Sequence, residues 1–207
     1  TNMAAMKASN TLNNTQGALS STLARVSSGL RVTKAADDAA GQAVATNLST
    51  QARSGKQAIR NANDGISVIQ TAEAASKEVI NILDRMRELA VQSSSETLED
   101  GERAYIDAEF HQLSDEVERI AQSSEFNDIL LSGGTNAALD VQVGVDASSN
   151  SRVSISLGNL TTSNLSVETG DIDLTKASTA QTAITEIDTA IDSVNSIRAS
   201  YGAVQNR

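Results

Sequence analysis

The sequence predicts a mainly α protein, an elongated antiparallel helical bundle or coiled-coil rod with a small β-hairpin region. Three observations carry that prediction. From about Ala58 to Ser93 the chain holds a helical pattern with one interior glycine, in which Ala62, Ile66, Ile69, Ala72, Val79, Ile80, Leu83, Met86 and Ala90 recur three and four apart. Such a helix reaches about 50 Å at ~1.5 Å per residue, so it needs partners of similar length along its apolar face. Proline is absent from all 207 residues, where average usage of ~5% is ordinary and long helices exclude it. Aromatics make up 2% with no Trp, which leaves packing to small aliphatic side chains that let helices approach closely.

Taken in order, Ala5, Ser9, Leu12, Gln16, Leu19, Leu23, Val26 and Leu30 step by four and three, a heptad seam with polar interruptions. Its flanks are Asn, Ser, Thr and Gln, so the helix is marginal alone and wants a partner. Ser27-Ser28-Gly29 breaks the pattern. Asp37 or Asp38 is placed to cap the next helical run, which Gly41, Gly55 and Gly65 weaken without ending. After a polar turn, Ile106, Phe110, Leu113, Val117 and Ile120 predict a helix over roughly Gly101 to Gln122, antiparallel to the long one.

The period is lost at Phe126–Gly134. Leu139, Val141, Val143 and Val145 then alternate with polar residues, as do Val153, Ile155 and Leu157, so a hairpin is expected with Asp146–Ser151 as its loop. The Thr/Ser/Asn-rich segment Gly158 to Ala177 reads as an exposed connection with one possible strand around Leu165 to Val167. A last helix follows, with Ile184, Ile187, Ile191, Val194, Tyr201 and Val204 as its seam. That seam meets Arg207 without a capping signal, so the chain is expected to continue further in the native protein.

A net charge of -10, from 16 basic and 26 acidic residues, argues against nucleic acid or an anionic membrane as partner. No cysteine is present, which excludes disulfides, thiol nucleophiles and thiolate metal sites. No apolar run approaches the ~20 residues of a membrane span. The amino end lacks the basic-then-apolar pattern of a secretory signal, so the chain stays in the cytoplasm or leaves by a route that reads no cleavable signal. No phosphate-binding loop, dinucleotide fingerprint or nucleophile elbow occurs. His111 is read as a solvated side chain. Asp171-Ile172-Asp173 opens like a calcium loop, but Lys176 stands where that loop needs glycine and no Glu closes it. Acidic pairs at helix starts read as caps and dipole complements. No catalytic residue, metal ligand or cofactor is expected.

The stretch LARVSSGLRVTKAADDAAGQAVATNL, Leu23 to Leu48, closely resembles the amino-terminal signature of bacterial flagellins. TNMAAMKASNTLNNTQGALS ahead of it, DRMRELAVQSSSET, FNDILLSGG, the hairpin opening DVQVGV and the terminal SIRASYGAVQNR match in the family's order. The resemblance implies a structural subunit of the secreted, extracellular flagellar filament. It also implies other flagellin subunits, the flagellar export apparatus and a chaperone as partners. It divides the chain into a filament-core helix (1–35), the first part of a helical rod domain (36–134), a hairpin and polar connection replacing the variable outer domain (135–177), and the rod's last helix (178–207). The family's returning terminal helix is absent, so the first helix is expected to be covered by a neighbouring molecule and the fragment not to polymerise. Arg25, Ser27, Ser28, Gly29, Leu30, Arg31, Asp37, Asp38 and Gly41 form the segment expected to serve assembly. Arg85, Leu89 and Glu109 match positions through which many flagellins engage host Toll-like receptor 5, although Leu113 stands where the family often has a basic residue. The alternative reading is a surface adhesin or carbohydrate-binding flagellin-like protein using the hairpin and the polar stretch Asn159 to Thr169.

Overall fold

The computed structural model describes residues 2–207. The chain is mainly helical: α1 (Met3–Ser28), α2 (Ala39–Ser93), α3 (Asp100–Ser123), a four-residue α4 (Thr162–Leu165) and α5 (Ala177–Asn206). Two antiparallel strand pairs accompany them, β1 (Glu125–Phe126) with β2 (Ile129–Leu130), and β3 (Ala138–Gln142) with β4 (Arg152–Ser156). Among the described residues, no helix is long and apolar enough to cross a membrane. Two compact units divide the chain, Thr1–Lys56 and Gln57–Arg207.

In the first unit, the Asn2 side chain accepts from the Ala4 and Ala5 backbone N–H groups and starts α1. Gly29, at φ 66, ends it in the left-handed conformation. The helix has no buried residue. Its seam is therefore unpaired, with Leu12, Leu19 and Leu23 each more than half exposed.

The second unit holds the core. Two interhelical ion pairs, Arg87–Asp188 at 2.6 Å and Glu73–Arg198 at 3.6 Å, run α5 antiparallel to α2. Arg85–Glu109 at 2.8 Å ties α3 to α2. The α2–α3 turn is pinned by Arg103, whose guanidinium donates to the carbonyls of Leu98 and Ser95. Between the helices lie Val79, Leu83, Met86 and Leu89 of α2, Ile106, Phe110, Val117 and Ile120 of α3, and Ala183, Ile187, Ala190 and Val194 of α5.

The segment 158–176 departs from its expected role. It is not an exposed connection but a strap whose Leu160, Leu165, Val167, Ile172 and Leu174 are all buried in that core. The strand expected at Leu165 to Val167 does not form, because Ser166 turns into the left-handed region at φ 56 and closes α4. Side chains of the helices satisfy the strap's backbone, as buried polar groups require. Ser114 Oγ donates to the Val167 carbonyl at 2.6 Å and Ser93 Oγ to the Leu174 carbonyl at 2.5 Å. Asp107 accepts from Leu174 N, and Glu118 from Thr162 N and Oγ1. Ser163, Asn164, Ser166 and Thr169 remain exposed on its outer side.

The Glu118 carboxyl is held below its usual range by the Gln122 amide and then by the two Thr162 donors, against the opposing effect of burial. A depressed carboxylate stabilises the fold above the unfolded-state value, and that contribution is lost as pH falls through the folded one. The unfolding midpoint should therefore drop as pH falls below ~4.3, and Glu118→Gln should flatten part of the drop. Parallel denaturation curves of the two proteins with unchanged pH dependence would refute the assignment.

The hairpin forms with Leu139 opposite Ile155 and Val141 opposite Val153, and this apolar face joins Val68, Ile69 and Ala72 of α2 and Tyr201 of α5 in a second core cluster. Its loop is longer than expected. Val143 and Gly144 leave the ladder and both donate to the Ser151 carbonyl. Upstream, Asn127 and Asp128 at φ 50 and 62 give β1 and β2 the two-residue turn whose twist suits a hairpin. Gly158 lies against α5, where a Cβ would come 2.4 Å from Ile197 Cγ2, and its N–H donates to the Tyr201 hydroxyl at 2.9 Å.

Candidate assembly surface

In the first unit, the connection from α1 to α2 is held by two carboxylates with separate tasks. Asp38 is the cap: its Oδ1 accepts from Gly41 N at 2.8 Å, one turn into α2. A Cβ at Gly41 would sit 2.4 Å from Asp38 Oδ2, so a larger residue there would make the capping carboxylate shift. Asp37 instead folds the loop. It accepts from the backbone N–H of Thr33, the Thr33 hydroxyl and Lys34 N, and pairs with Arg25 at 3.4 Å. Those Thr33 donors, followed by the Lys34 N–H and the Arg25 charge, hold its carboxyl below the usual range. Arg31 lies 3.7 Å from Asp38. Ser28 Oγ donates to the Arg25 carbonyl and accepts from Leu30 N.

Arg25, Ser28, Gly29, Arg31, Asp37, Asp38 and Gly41 thus converge on one helix–loop–helix turn, with Ser27 exposed beside it. Leu30 is 61% exposed. Leu30, Arg31 and Gly41 also line a groove with Gln42, Thr46 and Arg53. The first buried residue of α2 is Ala58, so Val44 and Leu48 extend the exposed apolar surface.

In the second unit, Arg85 donates through Nε and Nη2 to Glu109 and through Nη1 to Glu88, and these bonds raise its guanidinium above its ordinary value. Arg85 and Glu109 remain about half exposed. Leu89, expected with them on the surface, is only 1% exposed and packs in the core. The four-residue spacing turns it towards α3 and the strap while Arg85 stays at the rim. His111 is half-buried rather than solvated, with Nδ1 3.8 Å from Asp107 and Nε2 buried without a partner. Among the described residues no group of His, Asp and Glu is arranged to hold a metal ion.

Residues 1–137 match the family model described as "Bacterial flagellin N-terminal helical region". A protein named "Flagellin" from Halalkalibacterium halodurans is 43% identical over 183 residues, 88% of this chain and 66% of its own. "Polar flagellin B/D" of Vibrio parahaemolyticus is 44% identical, over 70% of this chain and 39% of its own. "Flagellar filament 33 kDa core protein" of Treponema phagedenis is 35% identical over 100% of this chain and 76% of its own. The chain thus spans less than two thirds of the length of two of these three relatives. The crystal structure of Bacillus cereus flagellin superposes with a TM-score of 0.62 at 32% identity, covering 72% of this chain and 84% of that one.

Proposed function

Because the chain belongs to the bacterial flagellin family, we propose that it is a structural subunit that self-assembles into the bacterial flagellar filament for motility. One observation carries the reading. Helix α1 carries a heptad seam, interrupted by Ser9 and Gln16, and buries none of it, and a weakly hydrophobic helix gains its stability from a partner along such a face. Self-assembly supplies that partner from a neighbouring subunit. The turn around Asp37 and Asp38 sets the direction in which α1 leaves α2, so it governs where the seam is presented. The role is structural rather than catalytic, and the destination is the extracellular filament, reached through the flagellar export apparatus with a chaperone.

The test is expression of the whole protein in a motile bacterium lacking its own flagellin. Electron microscopy should show filaments containing this protein. Secreted protein without filaments, in cells with intact basal structures, would overturn the reading.

The proposal extends to host Toll-like receptor 5 as a partner of the unassembled subunit. Arg85 and Glu109 form a half-exposed, charge-assisted pair on the surface of the α2–α3 hairpin, and Arg is a frequent interface anchor. Arg85→Asp should reduce receptor signalling more than about tenfold, roughly the loss of one anchor contact, with helicity unchanged. Full signalling by that variant would remove the receptor from the list of partners. Leu89→Ala would not probe the surface, since it opens the core.

A further inference from the structure

Helix α3 holds the strap from one face. Asp107, Ser114 and Glu118 stand seven and four residues apart, so they emerge on one side of the helix, and each meets the strap backbone. Asp107 accepts from Leu174 N at 2.9 Å, Ser114 Oγ donates to the Val167 carbonyl at 2.6 Å, and Glu118 accepts from Thr162 N at 2.9 Å and Thr162 Oγ1 at 3.1 Å. Carboxylates therefore hold the two ends and a hydroxyl holds the middle. Ser93 of α2 adds a bond to the Leu174 carbonyl, and Asp115 makes a longer contact, 3.4 Å, with the Thr169 hydroxyl. The strap has little other backbone attachment. Among the described residues, Leu160 N donates to the Ser132 carbonyl and Gly158 N to the Tyr201 hydroxyl, and the remaining backbone bonds of the strap are local turns. Such a segment opens more readily than helices whose backbone bonds are internal.

We infer that the strap is an acid-released latch: protonating Asp107 and Glu118 shifts it towards an open state in which α2, α3 and α5 stay packed while Leu160, Leu165, Val167, Ile172 and Leu174 become accessible. An ionised carboxylate is an acceptor only, and its bonds are roughly twice as strong as neutral ones. Once protonated it holds the same N–H less tightly, and the change falls in the carboxylate range, roughly pH 3–5. Beside Asp107 stands His111, whose Nδ1 lies 3.8 Å from its Oδ2. The charges of His111 and Lys176 act in turn on Asp173 of the strap. Beside Glu118 stand the Gln122 amide and the Thr162 donors. From α2 and α5 no charged group pairs with either carboxylate among the described residues: the ion pairs that join the helices are Arg85–Glu109, Arg87–Asp188 and Glu73–Arg198. Ser93 and Ser114 do not titrate, so acid loosens the ends of the strap and leaves its hydroxyl anchors as they are.

Amide hydrogen exchange of the 207-residue chain tests the latch, read by NMR at about pH 6.5 and about pH 3.5, either side of the carboxylate range, and corrected for the intrinsic effect of pH on exchange. Wild-type protection at Thr162 and Leu174 should fall about tenfold or more at the lower pH, as charge-assisted bonds become neutral ones. At both pH values it should lie below that of Leu83 on α2, the mark of local opening. Asp107→Asn combined with Glu118→Gln should give the low protection at both pH values. Ser114→Ala removes an anchor that does not titrate, so it should lower strap protection at both pH values and keep the wild-type fall between them. Circular dichroism should report wild-type helicity in both variants, and the wild-type comparison decides by itself if a variant does not fold. Strap protection that is equal at the two pH values in the wild type, a double variant that keeps the wild-type fall, or strap amides that exchange at the rate of Leu83 would each overturn the latch.

Discussion

Phe110→Ala should lower the unfolding free energy of the second unit by ~3–5 kcal/mol, the range for removing a fully buried aromatic side chain. Phe110 is 0% exposed and sits on α3 facing α2, the strap and α5. The loss has two parts: the transfer energy of the ring and the void left among neighbours that relax only partly. Relaxation is restricted here because the strap is anchored to α3 itself through Ser114 and Asp107. A domain is typically stable by only ~5–15 kcal/mol, so the variant should lie close to unfolding at ordinary temperature. Urea denaturation followed through Tyr201 measures it, since Tyr201 is buried while Tyr105 is 82% exposed and no Trp intervenes. Phe110→Leu should cost less, under ~1.5 kcal/mol if the core repacks around it. A loss below ~1 kcal/mol for the alanine variant would mean that the core around α3 is not close-packed.

Asp37→Ala combined with Asp38→Ala should abolish filament formation by the whole protein while leaving the second unit folded. Removing the Asp38 cap costs ~1 kcal/mol, within a range of about 0.5–2, which frays the first turn of α2 without melting a helix whose far half is held by the core. Removing Asp37 releases Thr33, Lys34 and Arg25 at once, so the direction of α1 is no longer set. Electron microscopy and urea denaturation together distinguish the outcomes. Normal filaments from the double variant would show that the turn is only a helix start. Loss of the second unit's stability would show that it acts on the fold rather than on assembly.

Helix existence and order were legible in the residues because their causes are local. Absence of proline, three-and-four spacing of aliphatics and an aspartate ahead of α2 set its start and its continuity. The break at Gly29 and the alternation in β3 and β4 are of the same kind. That α1 lacks an intramolecular partner was implied by the family resemblance and not by its own residues, since α5 carries a heptad seam of its own. Tertiary structure decided which stripe of each helix is buried. In α5 the seam follows Ala180, Ala183, Ile187, Ala190, Val194 and Tyr201, with Ile184 and Ile191 half-buried beside it, because alanine lets the backbones close and the larger residues fill the flanks. In α3, Ser114 is buried and Leu113 is not fully so, since the strap needs a donor for the Val167 carbonyl. The strap had no sequence signature. Its apolar residues follow no period and stand among Thr, Ser and Asn, so their burial depends on contacts made far along the chain by α2, α3 and α5. Leu89 belongs with them: a pair four apart on a helix predicts a shared side, but only the placement of α3 and the strap determines that the side containing Leu89 is closed to solvent while Arg85 remains at its edge.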